Sequence, residues 1–197
     1  MTKTNEDRRI KYTKMVIRES FIALLESKPI ESITIKAICE GADINRTTFY
    51  MHYTDQYALL QSIKQDFYDN IQTFLSQLGQ DPADPNALRQ ADKIFEYLKE
   101  NARVTKLLLS ERSDFMFQKH VMQLVYDLIM NQLRISKSIS IQDAEYVYEY
   151  AITGCVGIVQ KWLNEDMLKP TKTMAKMVVN MTLGLFESLQ QETFKAD

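Results

Sequence analysis

The chain has little with which to turn: 5 glycines and 4 prolines among 197 residues. An all-β sandwich or barrel reverses direction every few residues and draws on those two residue types to do so. Their scarcity therefore favours long helical segments. The spacing of the apolar residues agrees. Ile10, Ile17, Phe21, Leu24 and Leu25 fall on one stripe of a helix running from about Asp7 to Ser27, with Lys11, Lys14 and Arg18 largely off it. Lys28 and Pro29 end that segment. Thr34 is a good N-cap for IKAICEGA, and a break follows at Gly41 to Asn45. Asn45 can cap a third helix, RTTFYMHY, kept short by the fresh cap at Thr54 and Asp55. From about Asp55 to Leu78, apolar residues at Tyr57, Leu60, Ile63, Phe67, Ile71, Phe74 and Leu78 predict a long amphipathic helix. GQDPADP, residues 79–85, is the densest loop signal. Further helices are expected near 87–101, 105–111, 115–135, 142–164 and 171–193, with breaks at SERSD, SKSIS and DMLKP. The expected fold class is all-α, with about nine helices.

Composition sets outer limits. A chain that is 45% hydrophobic and 25% charged can bury a sizeable core and is not disordered by default. Its length suits a small domain, residues 1–54, fused to a larger one, residues 55–197. Cys39 and Cys155 are far apart and lack CxxC spacing, so buried reduced thiols are expected rather than a disulfide framework or a zinc site. The first residues, MTKTNEDRR, lead into no apolar signal-like stretch, and no run of about 18 apolar residues follows anywhere. A cytoplasmic protein is expected, with no membrane partner. The net charge of -2 hides an asymmetry. Residues 1–53 carry 9 Lys and Arg against 7 Asp and Glu, and the remainder 15 against 19. That permits a DNA-facing amino-terminal part on an acidic body without requiring one.

The arrangement between Thr34 and Tyr53 carries more. Three helices within about 50 residues, the second and third joined by a tight turn, describe a helix-turn-helix. Such a unit puts the first turn of one helix into the major groove while neighbouring groups grip phosphates. Ala37, Ile38, Ala42, Ile44 and Phe49 supply packing around the turn. Lys36, Asn45, Arg46, Thr47, Thr48, Tyr50, His52 and Tyr53 supply donors for phosphates or base edges. Arg46 is the first choice for base reading, because a guanidinium can contact guanine O6 and N7 together. Thr47 suits a thymine methyl or a phosphate, while Thr34, Thr48, Tyr50 and His52 suit backbone clamping. Taken singly, each is an ordinary surface residue. The ordered set after TIKAI is what carries the reading.

The stretch TIKAICEGADINRTTFYMHYTDQYALL, residues 34–60, resembles the amino-terminal pattern of the tetracycline-repressor-like (TetR) family of bacterial regulators. The resemblance implies a helical ligand-binding and dimerisation domain behind the helix-turn-helix, with the last two long helices pairing with their twofold mates. Two positions depart from the pattern. The turn glycine is Asp43, which tolerates the left-handed conformation better than most residues. The phosphate-binding lysine at the start of the fourth helix is Gln56, which can donate to a phosphate but releases no counterion.

In the body, Gly154 and Gly157 interrupt a helical pattern and, with Ile158, are candidates for close helix approach at a dimer interface. The last helix is apolar over most of its circumference. Met174, Met177, Val178, Met181, Leu185 and Leu189 form one stripe, and Val179, Leu183 and Phe186 lie on another, the pattern of a helix buried on both sides. Phe95, Phe117, Met122, Tyr126, Cys155 and Trp162 are candidates for a small-molecule effector pocket, although the same residue types are the staple of helical cores.

The expected function is a ligand-responsive repressor, a homodimer on a roughly palindromic DNA operator. The alternative is a TetR-like coactivator or adaptor acting by protein–protein interaction with weakened DNA binding, which Gln56 and Asp43 motivate. An enzyme is not expected. Neither His52 nor His120 belongs to an HExxH pair, and no GxGxxG, GxxxxGK[ST] or GxSxG occurs. No cofactor or metal is expected.

Overall fold

The computed structural model describes residues 3–77, 85–109, 115–136 and 141–191. The loop expected over 79–85 and the breaks at SERSD and SKSIS lie largely outside those residues. All regular elements among the described residues are helical: α1 (Lys3–Leu25), a 3₁₀ turn (Ile30–Ser32), α2 (Ile35–Ala42), α3 (Arg46–Tyr50), α4 (Gln56–Ser76), α5 (Pro85–Glu100), α6 (Ala102–Leu109), α7 (Phe115–Ser136), α8 (Ile141–Asn164) and α9 (Thr171–Gln191). Among the described residues no helix is long and apolar enough to cross a membrane.

The chain divides into two compact units, 1–67 and 68–197, with the boundary inside α4 rather than at the turn before it. Packing explains the shift. Leu59, Ile63 and Phe67, all from the part of α4 before Tyr68, are buried as deeply as Ile17, Phe21, Ile22, Ile33, Ile38 and Phe49 of the first unit. Of the apolar stripe of α1, Ile17 and Phe21 are buried and Leu24 and Leu25 half-buried, whereas Ile10 is 41% exposed. At about 1.5 Å per residue, α1 with its 23 residues far outruns the 8 residues of α2 packed against it, so Ile10 is left uncovered. At the contact, the Ser20 hydroxyl donates to the Ile38 carbonyl at 2.8 Å. A methyl group at Gly41 would collide with that same hydroxyl, which accounts for a glycine inside α2.

In the second unit α5 packs along α9, and α6 and α7 pack against α8. The core combines Ala87, Ala91, Phe95 and Leu98 of α5 with Val104, Thr105 and Leu108 of α6, Phe117 of α7, Ala151, Ile152, Trp162 and Leu163 of α8, and Met174 and Ala175 of α9. Pro85 opens α5, where its missing N–H is harmless. The last carbonyls of α6 have no partner within their own helix. They accept side-chain amides instead, Gln118 on Leu108 at 3.3 Å and Gln160 on Leu109 at 2.6 Å. Trp162 Nε1 donates to the Lys169 carbonyl at 2.9 Å, holding the α8–α9 turn, in which Asp166 and Met167 both have positive φ.

Candidate nucleic-acid interface

Each short helix of the first unit is set by its caps. The Thr34 side chain accepts from Ala37 N at 3.2 Å and starts α2. Asp43 ends it in the left-handed conformation, φ 51° and ψ 47°. Its own N–H reaches Glu40 O and that of Ile44 reaches Cys39 O at 3.1 Å, a Schellman closure that turns the chain tightly toward α3. Asn45 Oδ1 then accepts both the amide and the hydroxyl of Thr48, at 2.8 and 2.9 Å, and starts α3. The helix expected to reach Tyr53 is shorter. It ends at Tyr50, after which His52 N returns to Phe49 O at 2.9 Å in a tighter turn. Asp55 caps α4 by accepting Ala58 N at 2.7 Å.

Phe49 is fully buried and anchors α3, with Tyr50 meeting its ring edge-on at 5.7 Å. Around this anchor Arg46, Thr47 and Tyr50 are exposed, Thr48 and His52 are half-buried, and Asn45 and Thr34 are exposed while their side-chain oxygens serve the caps. Lys36 is exposed and pairs loosely with Glu40 at 3.6 Å, a surface contact that a phosphate can displace. Gln56 is half-buried at the start of α4, next to the capping carboxylate of Asp55. Met51, 70% exposed beside Tyr50, escaped the sequence reading because a methionine carries no donor signal.

Tyr53 does not join the exposed row. Its ring packs 5.8 Å from Phe49, and its hydroxyl hydrogen-bonds with Ser62 of α4, close to the Arg18–Asp66 ion pair of 3.0 Å. Burial first, and then Asp66, push its phenol above the ordinary range, against the opposing pull of Ser62 and Arg18. Tyr53 is a buttress between α3 and α4. Burial likewise pushes the Cys39 thiol up, in spite of the nearby Arg46 guanidinium.

The pocket candidates of the second unit have different surroundings. Phe95 and Trp162 are both buried and meet edge-on at 5.4 Å. Tyr126 meets Tyr148 edge-on at 4.7 Å, and the Tyr148 hydroxyl donates to the Met122 carbonyl at 3.2 Å. Cys155, its thiol pushed up by burial, hydrogen-bonds with Thr182. Phe117 is a core residue of α7. Of the interface candidates, Gly154, Gly157 and Met181 are exposed, and Ile158, Met177, Val178 and Leu185 are half-buried. Met174 is a correction: only 3% of it is exposed, because it points into its own unit, where α9 packs along α5, so it has no surface to offer a partner. Tyr146 and Tyr150, 79% and 73% exposed, stand on the same face of α8 as the two glycines and were missed, because a tyrosine in a helical pattern reads equally well as core.

Comparison with known proteins adds the following. Residues 85–184 match a TetR family model described as a transcriptional regulator C-terminal region. The chain is 22% identical over 165 residues to an uncharacterized HTH-type transcriptional regulator, YxbF, of Bacillus subtilis (strain 168), covering 82% of this chain and 42% of that protein. The chain thus spans less than half the length of that relative. Among solved structures, a TetR transcriptional regulator from Streptococcus agalactiae superposes with a TM-score of 0.58 at 22% identity, covering 91% of this chain and 98% of the other. SmeT, the repressor of the Stenotrophomonas maltophilia multidrug efflux pump SmeDEF, superposes with a TM-score of 0.61 at 17% identity, covering 87% and 88%.

Proposed function

Because the chain belongs to the TetR family of transcription regulators, we propose that it binds double-stranded DNA as a homodimer through its first unit, under the control of a small molecule bound in the second. The observation that carries the reading is α3. Asn45 caps it, buried Phe49 anchors it, and Arg46, Thr47 and Tyr50 face solvent from it. A short rigid helix with its donors at the amino end suits a major groove. Arg46 reads a base edge there, Thr47 and Met51 offer methyl contacts to thymine, and Lys36, Tyr50, His52 and Gln56 hold phosphates. Thr34, Asn45 and Thr48 act by fixing the helix ends, whose free amides also face the backbone.

Exposed Tyr146, Tyr150, Gly154 and Gly157 on one face of α8, with Met181 exposed on α9, support a twofold pairing through these two helices. Two first units held this way meet successive turns of the major groove, about 34 Å apart. An effector that binds one separation of those units better than another shifts DNA affinity by that difference alone. SmeT is a repressor, and repression is the outcome proposed for this chain. A regulator of this kind works beside the chromosome, in the cytoplasm, and needs no catalytic step.

The test is binding to DNA fragments flanking the protein's own gene, measured at two salt concentrations. Wild type is expected to bind a roughly palindromic site as a dimer, with affinity falling as salt rises. Arg46→Ala should cost about 1–3 kcal/mol and relax specificity at one base pair, while Tyr50→Phe should weaken binding evenly across sequences. A protein that binds no genomic fragment site-specifically would overturn this reading. The second reading would then stand: a TetR-like coactivator or adaptor that works through protein partners. One observation favours it, since the Asp55 carboxylate already occupies the amino end of α4, where Gln56 offers no positive charge to a phosphate.

A further inference from the structure

Two acceptors on α5 are buried without a donor. The core stripe of this helix is Ala87, Ala91, Phe95 and Leu98, and Gln90 and Asp92 flank Ala91 about 100° away on either side. Gln90 Oε1 and Asp92 Oδ1 are both buried, and no described group donates a hydrogen bond to either. Other buried polar side chains among the described residues of this unit find partners. The Thr105 hydroxyl donates to the Asn101 carbonyl at 3.0 Å, and Trp162 Nε1 donates to Lys169 O. A buried polar atom without a partner opposes folding, and a charged one does so most, so these two oxygens call for donors from outside the chain.

Asp92 decides the chemistry. Turning the Gln90 amide over exchanges an acceptor for a donor, but an ionised carboxylate only accepts. Its occupant must therefore bring N–H or O–H groups, and positive charge strengthens the bond. Both residues are half-buried as a whole, so each side chain has a solvent-facing part beside its buried oxygen. On α5, Asp92 is one turn before Phe95, whose ring meets Trp162 edge-on at 5.4 Å. Aromatic rings suit an apolar ligand body and attract a cation.

We propose that Asp92, one turn before Phe95, is the recognition point for a protonated organic amine whose apolar body lies toward the Phe95–Trp162 pair. The proposal rests on the reading that the second unit holds the effector. It concerns binding alone.

Trp162 is the single tryptophan of the chain, so its emission reports on this place. The probes are octylammonium, octanol and octanoate at neutral pH, which share one chain length and differ in charge. Octylammonium is expected to saturate a change in Trp162 emission at a concentration at least about tenfold below that needed for octanoate. Asp92→Asn, which keeps the size and removes the charge, should bring octylammonium to the level of octanol. Glu96→Gln, which removes an exposed charge from the same helix, should keep the preference of the wild type. The proposal is overturned if octanol or octanoate binds wild type as tightly as octylammonium. It also fails if Asp92→Asn keeps the preference, as expected of a carboxylate satisfied by water alone, or if Glu96→Gln loses it equally. The wild-type comparison stands even if a variant folds poorly. No DNA is present, so failure here leaves the DNA reading untouched, and failure to bind DNA leaves this result standing.

Discussion

Asp43 holds a conformation that glycine adopts without strain, φ 51° and ψ 47°, at the turn that aims α3. Asp43→Gly should therefore stabilise the first unit by about 0.5–1 kcal/mol, and Asp43→Val should destabilise it by more, both read from urea midpoints. Tyr53 gives a different kind of test. Its phenol is raised in the folded state, so the neutral form is favoured there. The stability it contributes is complete below the unfolded value of about 10 and is lost as pH rises from there through the raised folded value. Tyr53→Phe should cost about 0.5–1.5 kcal/mol at pH 8 through loss of the Ser62 bond. That deficit should shrink at pH 11, because the variant has no phenol to ionise at this position. Urea unfolding of both proteins at the two pH values checks this, and a constant gap would count against it. None of this was legible from the residue type. Tyr53 reads as one more surface donor until its hydroxyl is found bonded to Ser62 on the next helix.

At the scale of elements, legibility followed cap chemistry. The starts of α2 and α3 could be read because Thr34 and Asn45 are strong N-caps, and the structure shows both in use. The end of α3 could not, because RTTFYMHY has no breaker, and the change to a tighter turn after Tyr50 depends on where Phe49 is buried. The stripe of α1 was read correctly from Ile17 on but too far toward Ile10, since periodicity does not reveal how long the neighbouring helix is. Cap chemistry gives no such guide to the pocket candidates, because aromatic and flexible side chains look the same in a core as in a cavity. At α4 the sequence departs from its family in a way that can be measured. Gln56 stands at the amino end where a lysine is the rule, beside the Asp55 cap. Gln56→Lys adds a phosphate contact that releases a counterion, so it should steepen the slope of log affinity against log salt by about 0.9. Affinity should rise most at low salt. A parallel slope in a fluorescence-anisotropy titration would mean that this helix end does not touch the DNA backbone.

For the whole molecule, the sign of one substitution separates a chain that works alone from one that works in pairs. Glycine inside a helix costs about 1 kcal/mol relative to alanine, and a residue that bears the cost should have a reason for it. Within this chain Gly154, Gly157 and Gly184 have none: a methyl group built on any of them would meet nothing within 4 Å. Gly154 and Gly157 are instead exposed on the face of α8 that carries Tyr146 and Tyr150. If that face stays in solvent, replacing both glycines by leucine relieves the helix and does nothing else, so the variant should unfold at higher urea and bind DNA as before. If a second copy covers it, the same leucines still favour the helix in an isolated chain but hold the two backbones apart. The expectation here is the second outcome. Gly154→Leu with Gly157→Leu should keep the helical content of wild type, sediment as a monomer at concentrations where wild type is dimeric, and lose at least about tenfold in affinity for a palindromic site while keeping its weaker hold on a half-site. A variant that sediments with wild type and binds the palindrome unchanged would show that the glycines serve something other than pairing. The twofold arrangement would then have to rest on another face.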